Sequence, residues 1–296
     1  MKAVIYLFSG TGNTKKIAEL YKTEFESNEV ETTVVSLTSD FSSVPDPNGF
    51  DLVGFAYPIH GFNAPQIMLD FVKQLPSAST AGKKYFILKS SGEPLKINNV
   101  SSGKMVSLLK KKGYVLSNEY HYVMPYNMIF RHTDKTATRM WYTAKGLAVI
   151  EACEVLEGKE HHLKKVPFGA FIAWLFRIEH PAMRVNGRMF KVDADKCVKC
   201  GMCVKNCPTS NIRINEKGKF EFGGNCLMCT RCSFNCPTDA FNIALLNGWR
   251  VNGKYNFESS EDSEKETHKW YCKKAYKRYF ENAQKKISGN IKLYGV

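Results

Sequence analysis

Eight cysteines between Cys197 and Pro237 have a spacing that suits metal and sulfur chemistry. They form two copies of the pattern C-x2-C-x2-C-x3-C-P, and the second copy begins at Cys226, 29 residues after Cys197. Three thiolates at this spacing can bind three corners of an iron-sulfur cube, while the cysteine before each proline reaches the other cube. The pattern therefore predicts two 4Fe-4S clusters.

The predicted ligand sets cross over between the two copies. One set is Cys197, Cys200, Cys203 and Cys236, and the other is Cys226, Cys229, Cys232 and Cys207. Structural zinc and disulfides are the competing interpretations. Zinc sites use cysteines in pairs and do not need a third cysteine at the same regular spacing. An eight-cysteine disulfide framework is typical of a short secreted chain, which this is not. The motif, its repeat and the cysteine count favour clusters, and residues 191–246 resemble the bacterial two-cluster ferredoxins.

A second candidate site lies near the start of the chain. The apolar, strand-forming run from Ala3 to Phe8 leads into Ser9-Gly10-Thr11-Gly12-Asn13-Thr14, and apolar residues then recur at helical spacing. Backbone amides in such a loop, and the N-terminus of the helix after it, face a bound anion. The loop lacks the third glycine of a dinucleotide motif and the G-K-[ST] of a P-loop. It therefore predicts a monophosphate site.

This loop resembles the FMN phosphate loop of flavodoxins, and the resemblance covers about residues 1–157. It implies an α/β fold with a doubly wound, five-stranded parallel sheet of order 2-1-3-4-5. It also implies that two further loops flank the flavin ring. One comprises Pro58, Ile59, His60, Gly61 and Phe62, and the other comprises Ser90, Ser91 and Gly92. A polar turn without a ligand is the alternative.

The same resemblance implies two roles near the flavin ring, a flexible peptide and a stacked aromatic side chain. Gly61 is the candidate for the flexible peptide that turns toward flavin N5 when the flavin takes up an electron, because glycine permits such a turn. Phe62 or Tyr57 is the candidate to stack on the ring, with simple packing as the alternative. His60 is interpreted as an ordinary loop histidine.

Alternating apolar and helical segments support the fold. Strands are predicted at 3–8, 30–37, 51–57, 84–89 and 121–124, and helices at 65–75, 101–112 and 134–156. In the cysteine-rich part, which we expect to be a small α+β domain, 212–214 and 220–222 predict a hairpin. Residues 241–245 predict a strand that ends in a tight turn at Asn247-Gly248.

Four segments are predicted along the chain. They are a flavodoxin-like FMN-binding domain at 1–158, a linker at 159–190, a ferredoxin domain at 191–246 and a basic, aromatic extension at 247–296. The linker helix, apolar on nearly all faces, is expected to be buried between the domains, and a membrane-surface helix is the alternative. The extension is expected to dock through an amphipathic helix, and its acidic run, 258–266, to form a loop or helix start.

Composition and charge limit the function further. The chain has 296 residues, 44% of them hydrophobic, and a formal net charge of +14. These totals allow two domains with real cores. The positive charge indicates either a solvated cationic surface or the attraction of an acidic redox partner, and no motif supports nucleic-acid binding. The longest apolar run, 166–176, is too short to span a bilayer, which takes roughly 20 residues. We expect a cytoplasmic protein in a reducing, low-oxygen setting.

Electron transfer within one chain is the expected function. A flavin handles one or two electrons and each cube handles one, so together they connect two-electron and one-electron couples. The alternatives are an iron-sulfur flavoenzyme that reduces a quinone or flavin, and a redox sensor or partner-binding module. No side chain is predicted to be catalytic, because no pair of nucleophile and base is evident in the sequence.

Overall fold

A five-stranded parallel sheet forms the N-terminal half of the protein. The computed structural model describes residues 1–164, 166–259 and 268–294. The strands are β1 (Lys2–Leu7), β2 (Glu31–Ser36), β3 (Leu52–Pro58), β4 (Lys83–Ser91) and β5 (Tyr114–Val123). The helices between and after them are α1 (Asn13–Ser27), α2 (Gln66–Gln74), α3 (Gly103–Lys111) and α4 (Asp134–Leu156). The strand order is β2-β1-β3-β4-β5, which confirms the predicted flavodoxin-like topology.

Helices cover both faces of this sheet, so its central strands are apolar on both sides. On one face, Tyr6 and Phe55 pack together with Phe71 of α2. On the other face, Tyr21 and Phe25 of α1 pack against Phe86 of β4. This packing holds the carboxyl ends of β1, β3, β4 and β5 at one edge, where ligands bind in such sheets.

Strand β5 begins seven residues earlier than the predicted start at His121. Its first half contains Ser117, Asn118 and Glu119, and these polar side chains hide the strand pattern. Each is buried and has a partner: Ser117 donates to the Tyr85 carbonyl at 3.0 Å, and Asn118 donates to the Lys159 carbonyl at 2.6 Å. Buried polar groups of this kind are tolerated because they are hydrogen-bonded.

Glu119 forms a buried ion pair with Lys89, the residue of β4 that precedes the predicted flavin loop at Ser90. The Lys89 Nζ lies 2.8 Å from the Glu119 Oε1, and the Lys89 side chain is 0% exposed. The same ammonium donates to the carbonyls of Asn98 and Asn99 at 3.2 and 3.3 Å. The pair therefore anchors the loop after β4 beneath the edge of the sheet.

We expect Lys89→Met to destabilise the protein by about 3–5 kcal/mol, because it leaves the Glu119 carboxylate buried without a counter-charge. Urea denaturation followed by circular dichroism measures this loss. Lys84→Met on the same strand is the matched control, because its pair with Glu160 is half-exposed and such pairs contribute about 0–1 kcal/mol. Adding Glu119→Leu to Lys89→Met should restore most of the stability. An unchanged midpoint in Lys89→Met would contradict the structural role of the pair.

Two short helices, α5 (Gly169–Phe176) and α6 (Glu179–Arg188), follow the sheet. The prediction that the linker helix is buried is wrong for its large side chains. Only Gly169 and Ala173 of α5 are buried, while Phe168, Phe171 and Trp174 are exposed. The two small residues form the inward face, and this leaves the aromatic residues on the outside.

The cysteine-rich segment folds as two similar halves. Helix α7 (Met202–Lys205) lies in the first cysteine motif and α8 (Arg231–Phe234) in the second; the strands are β6 (Lys191–Val192), β7 (Ile212–Ile214), β8 (Phe220–Phe222) and β9 (Phe241–Asn242). β7 and β8 form the predicted hairpin, with Ile212 opposite Phe222. β6 pairs with β9. The predicted tight turn at Asn247-Gly248 is wrong, because residues Ala244–Trp249 form a 3-10 helix.

The 29-residue repeat extends to the backbone conformation. Left-handed φ angles occur in pairs at equivalent positions of the two halves: Lys199 and Met228, Gly201 and Thr230, and Ser210 and Asp239. A non-glycine residue adopts this conformation at some cost. Its repetition at these positions indicates that the two cysteine motifs follow the same path.

The C-terminal helix α9 (Lys273–Tyr294) packs on α4. Tyr276, Phe280 and Ala283 are buried, as expected for an amphipathic helix docked through its apolar face. Lys286 reinforces this contact through the Glu151 and Glu154 carboxylates, at 3.2 and 3.0 Å. Most of the predicted acidic segment 258–266, namely residues 260–266, lies outside the described residues. No helix in the described parts of the chain combines the length and apolar character needed to cross a bilayer.

Candidate functional site

A cavity of about 530 Å³ opens at the carboxyl ends of the parallel strands. All residues of the three predicted loops except Gly12 line it: Ser9, Gly10, Thr11, Asn13, Thr14, Pro58, Ile59, His60, Gly61, Phe62, Ser90, Ser91 and Gly92. Its volume is within the usual range of small-molecule sites. The three loops that the sequence predicted to form one site therefore do surround a common space.

The first loop has the features of an anion cradle. Gly12 has a φ of 103°, and α1 begins directly after it. Within the described residues, the amides of Thr11, Asn13 and Thr14 have no hydrogen-bond acceptor, whereas the Gly12 amide donates to the Ser9 Oγ at 3.2 Å. Free amides at a helix N-terminus attract a negative charge. The loop fits a phosphate group.

Hydrogen bonds fix this loop against the neighbouring strand ends. The Thr14 and Ser90 hydroxyls lie 2.8 Å apart, and the Asn13 side-chain amide donates to the Pro125 carbonyl at 2.8 Å. The Ile59 amide donates to the Ser90 carbonyl at 2.8 Å. The phosphate loop and both ring loops therefore form one connected frame.

Three titratable side chains lie on or behind one wall of the cavity. Burial and, to a smaller extent, the charge of nearby His180 together lower the pKa of His60 to about 4. His60 is thus neutral at physiological pH. Burial also raises the pKa of Glu179. The Glu179 carboxylate lies directly against Gly61, where an added Cβ would come 2.2 Å from its Oε2.

Several lining residues were not among the residues predicted to contact the flavin. They are Glu93, Asn98, Met124 to Ile129, Phe176, Glu179, Ala182, Met183, Asn186, Met228, Leu245, Leu246 and Trp249. The loop after β5 had a usable signal, because the carboxyl end of every strand in a parallel sheet borders the ligand site. The α6 and cysteine-segment residues reach the cavity only through tertiary contacts. Tyr57, predicted as a stacking candidate, lies in the core instead.

The C-terminal segment around residues 271–276 supports one ring loop from behind. The Tyr276 hydroxyl donates to the Gly92 carbonyl, and the Tyr271 hydroxyl donates to the Glu93 Oε1 at 2.6 Å. Tyr126 packs so closely on Gly92 that an added Cβ would lie 2.4 Å from its ring. A small residue at Gly92 is therefore required by the aromatic layer beneath the loop.

The cysteines line two separate small spaces. Cys197, Cys200, Cys203 and Cys236 line the first, and Cys207, Cys226 and Cys229 line the second, with Cys232 bordering both. The cysteine before each proline thus faces the space of the other motif, as the crossed ligand sets require. Within the described part of the chain, no three His, Cys, Asp or Glu side chains lie close enough together to hold a single metal ion.

Backbone amides point at equivalent sulfurs in the two halves. The Asn211 amide donates to the Cys207 Sγ and the Ala240 amide to the Cys236 Sγ, both at 3.3 Å. Burial raises the pKa of the Cys226 thiol to about 12. Because metal ligands must be deprotonated thiolates, cluster assembly at these sites has to release protons. The amides would then stabilise the sulfur charge and tune the potential.

The second cysteine motif contacts the phosphate loop directly. The Arg231 side chain donates to the carbonyls of Ser9 at 2.6 Å, Gly10 at 3.2 Å and Asn206 at 3.0 Å. The Cys229 carbonyl lies so close to Gly10 that an added Cβ would come within 2.4 Å of it. Met228 lines both the large cavity and the space of Cys207. The two candidate sites are therefore immediate neighbours.

Gly10→Ala is expected to disturb this contact, because its methyl group would overlap a backbone carbonyl. Overpacking of this kind costs about 1–3 kcal/mol. The thermal midpoint and the affinity for FMN should both fall, as measured by calorimetry and flavin fluorescence. Gly49→Ala serves as control, since an added Cβ there meets nothing within 4 Å. Wild-type values in Gly10→Ala would contradict the tight contact between loop and cysteine motif.

Comparison with known proteins agrees with a division of the chain into a flavodoxin-like part and a cysteine-rich part. The family model of the 4Fe-4S dicluster domain matches residues 196–240. The chain joins a flavodoxin-like domain to a 4Fe-4S dicluster domain. The strand order identifies the flavodoxin-like domain, and the family match identifies the dicluster domain.

Solved flavodoxins are similar to the N-terminal part of the chain. An archaeal flavodoxin has 22% identity and a TM-score of 0.36, covering 53% of this chain and 99% of its own. Flavodoxin 1 from Bacillus cereus has 16% identity and a TM-score of 0.36, covering 52% and 98%. The Streptococcus pneumoniae flavodoxin has 21% identity and a TM-score of 0.34, covering 42% and 84%. No curated protein matches the chain.

The dicluster domain forms part of the wall of the flavodoxin-like cavity. Gly187 of α6 packs on Cys226, and the Asn186 side chain exchanges hydrogen bonds at 3.0 Å with the Ile243 carbonyl and the Leu245 amide. Helix α6 thus holds the dicluster domain at the mouth of the cavity. These two folds support a redox role, with an iron-sulfur centre and a flavin as the matching cofactors.

Proposed function

We propose that this protein transfers electrons between FMN and two 4Fe-4S clusters within one chain, and exchanges them with external redox partners. The proposed order is outer cluster, inner cluster, FMN. The outer cluster would be bound by Cys197, Cys200, Cys203 and Cys236, and the inner cluster by Cys207, Cys226, Cys229 and Cys232. When bound, FMN supplies one- or two-electron chemistry and each cluster supplies one-electron chemistry.

The contact between Cys229 and Gly10 carries this proposal. It joins a predicted cluster ligand to the predicted phosphate loop, with Arg231 fixing both. Met228, which follows two residues after Cys226, borders the flavin cavity. No equivalent residue of the first cysteine motif lines that cavity. The inner site is thereby favoured as the direct neighbour of FMN.

The exposure of the cysteines supports the outer cluster as the point of exchange with external partners. Cys229 is buried beside the flavodoxin-like domain, whereas Cys200 of the first motif is exposed. A partner protein would therefore reach the outer cluster more readily than the inner one. The strongly basic chain would attract an acidic partner to this surface.

An anaerobic redox titration of the reconstituted protein tests the proposal, with iron and FMN quantified in the same sample. We expect about eight irons and one FMN per chain. Visible and electron paramagnetic resonance spectra should show electrons leaving the reduced clusters and appearing on the flavin. Clusters without bound FMN would overturn the relay and favour the sensor hypothesis.

A second candidate is an iron-sulfur flavoenzyme that reduces a small acceptor at FMN. The observation in its favour is the enclosure of the cavity by Glu179 and Met183 of α6 and by Trp249, none of which belongs to the sheet domain. In the described residues, the Glu179 carboxylate has no hydrogen-bond or ion-pair partner, and its raised pKa suits proton donation. Such a wall shields a flavin from large partners.

Measuring the rate of quinone reduction against quinone concentration distinguishes the electron carrier from the flavoenzyme. If the chain is an enzyme, Glu179→Gln should slow quinone reduction about tenfold or more, while cluster-to-flavin transfer keeps its rate. If it is a carrier, electron exchange with acceptors should show no saturation, and Glu179→Gln should have no effect on it.

A further inference from the structure

The large apolar side chains of α5 form one exposed surface. Phe168, Phe171 and Trp174 are 84%, 59% and 58% exposed, and Leu175 and Ile178 are also exposed. The rings of Phe171 and Trp174 stack, with centroids 5.8 Å apart. Scattered exposed apolar residues are common, but a contiguous group of this size marks an interaction site.

The orientation of α5 is fixed by close contacts on its inner face. Gly169 packs on Val100, where an added Cβ would lie 2.5 Å from the Val100 Cγ1. The Ala173 carbonyl accepts a hydrogen bond from the Asn63 side chain at 2.8 Å. Only small residues fit this inner face, so the aromatic residues cannot turn inward. Their exposure is a built feature of the fold.

Positive charges lie near both ends of α5. Lys104, Arg177 and Arg184 are close enough to His180 that, after burial, their charges lower its pKa. Lys164 is exposed just before α5. Asp70 offsets these charges only in part, because it is a single carboxylate that also pairs with Lys73 at 2.8 Å, and Glu179 faces the cavity. The edge of the surface is therefore cationic.

The apolar surface continues to the mouth of the flavin cavity. Phe176, the last residue of α5, lines the cavity and is itself exposed. Ile129, Leu245 and Trp249 also line the cavity and are 45%, 80% and 57% exposed. The entrance thus has an apolar rim that is continuous with α5.

We propose that α5 and this rim dock on the surface of an anionic lipid bilayer. Phenylalanine, tryptophan and leucine side chains that insert at the level of the headgroups, flanked by lysine and arginine, are the usual pattern of a monotopic membrane contact. A second copy of the chain fits less well, because a two-fold contact through this face would bring the same cations together. The proposal does not require the proposed electron transfer, although docking would turn the cavity entrance toward lipid-soluble acceptors.

Sedimentation of the full holoprotein with lipid vesicles tests this docking. Vesicles of phosphatidylcholine mixed with an equal amount of phosphatidylglycerol should bind the protein, and vesicles of phosphatidylcholine alone should bind it much less. Phe171→Glu combined with Trp174→Glu should reduce binding about tenfold or more. Arg184→Glu should reduce binding only to the anionic vesicles, as should added salt.

Tyr142→Glu is the matched control, because Tyr142 of α4 is an aromatic residue of similar exposure, 56%, on another helix. It should bind vesicles like the wild type. Circular dichroism and cofactor content should be unchanged in all variants, since every substituted side chain is exposed. Equal binding by the Phe171 and Trp174 double variant would overturn the proposal. Failure of the wild type to bind anionic vesicles would also overturn it. A wild-type dimer that becomes a monomer in the double variant would overturn it as well, because the surface would then be a contact between two copies of the chain.

Discussion

Cys207→Ala is expected to remove the cluster nearest the flavin and to stop electrons from reaching FMN. Cys236→Ala should remove the other cluster and leave that transfer intact. The physical reason is the crossed arrangement, in which Cys207 lines the same space as Cys226 and Cys229, beside the phosphate loop. Each variant should retain about four irons in place of about eight. Iron analysis and anaerobic stopped-flow reduction of the flavin measure both effects.

The comparison between these variants is decisive because both lose one ligand of the same kind. Uncrossed ligand sets would give the opposite result, with Cys236→Ala as the variant that cannot reduce FMN. Cys153→Ala provides the control, since Cys153 lies on α4 outside both motifs. It should keep all of its iron and the wild-type rate of flavin reduction.

Arg231→Gln is expected to weaken FMN binding roughly ten- to a hundredfold and to slow electron transfer from the inner cluster. Its guanidinium group holds the carbonyls of Ser9 and Gly10, and a hydrogen bond from a charged donor contributes about 1.5–3 kcal/mol. Because 1.4 kcal/mol corresponds to a tenfold change in affinity, losing these contacts gives the stated range. Flavin fluorescence titration measures the affinity.

Arg213→Gln controls for the loss of one positive charge. Arg213 is exposed on β7, so its replacement should leave both FMN affinity and the rate of flavin reduction unchanged. Equal behaviour of the two variants would mean that Arg231 acts only through general charge. In that case the hydrogen bonds from Arg231 to the phosphate loop would not affect FMN binding or electron transfer.

Local patterns predicted those parts of the protein in which neighbouring residues determine the structure. The strand, glycine loop and helix around Ser9 to Thr14 follow from local chemistry, and so do the hairpin of β7 and β8 and the full extent of α4. The sheet order was also predicted, from the flavodoxin resemblance. In each case the signal lies within a few residues or in a recognisable motif.

The remaining features depend on contacts between distant residues. The first half of β5 is polar because Glu119 meets Lys89 on the neighbouring strand, and no local pattern indicates that partner. The exposure of α5 depends on Val100, about 70 residues earlier, which leaves room only for Gly169 on the inner face. The cavity wall formed by Glu179 and Trp249 likewise exists only after the two domains have come together.

The two cysteine motifs share one backbone path but carry different side chains along it, and one of these differences faces the other domain. Where the first copy has Gly201, the second has Thr230, with a φ of 54° and a side chain that is 3% exposed. The Thr230 hydroxyl accepts a hydrogen bond at 3.3 Å from Asn127, which lines the flavin cavity. A backbone position that favours glycine thus carries a side chain that recognises the other domain. The two halves are consequently not interchangeable. Replacing the second motif by the sequence of the first would keep the cysteine ligands but remove the Thr230 contact with the flavodoxin-like domain.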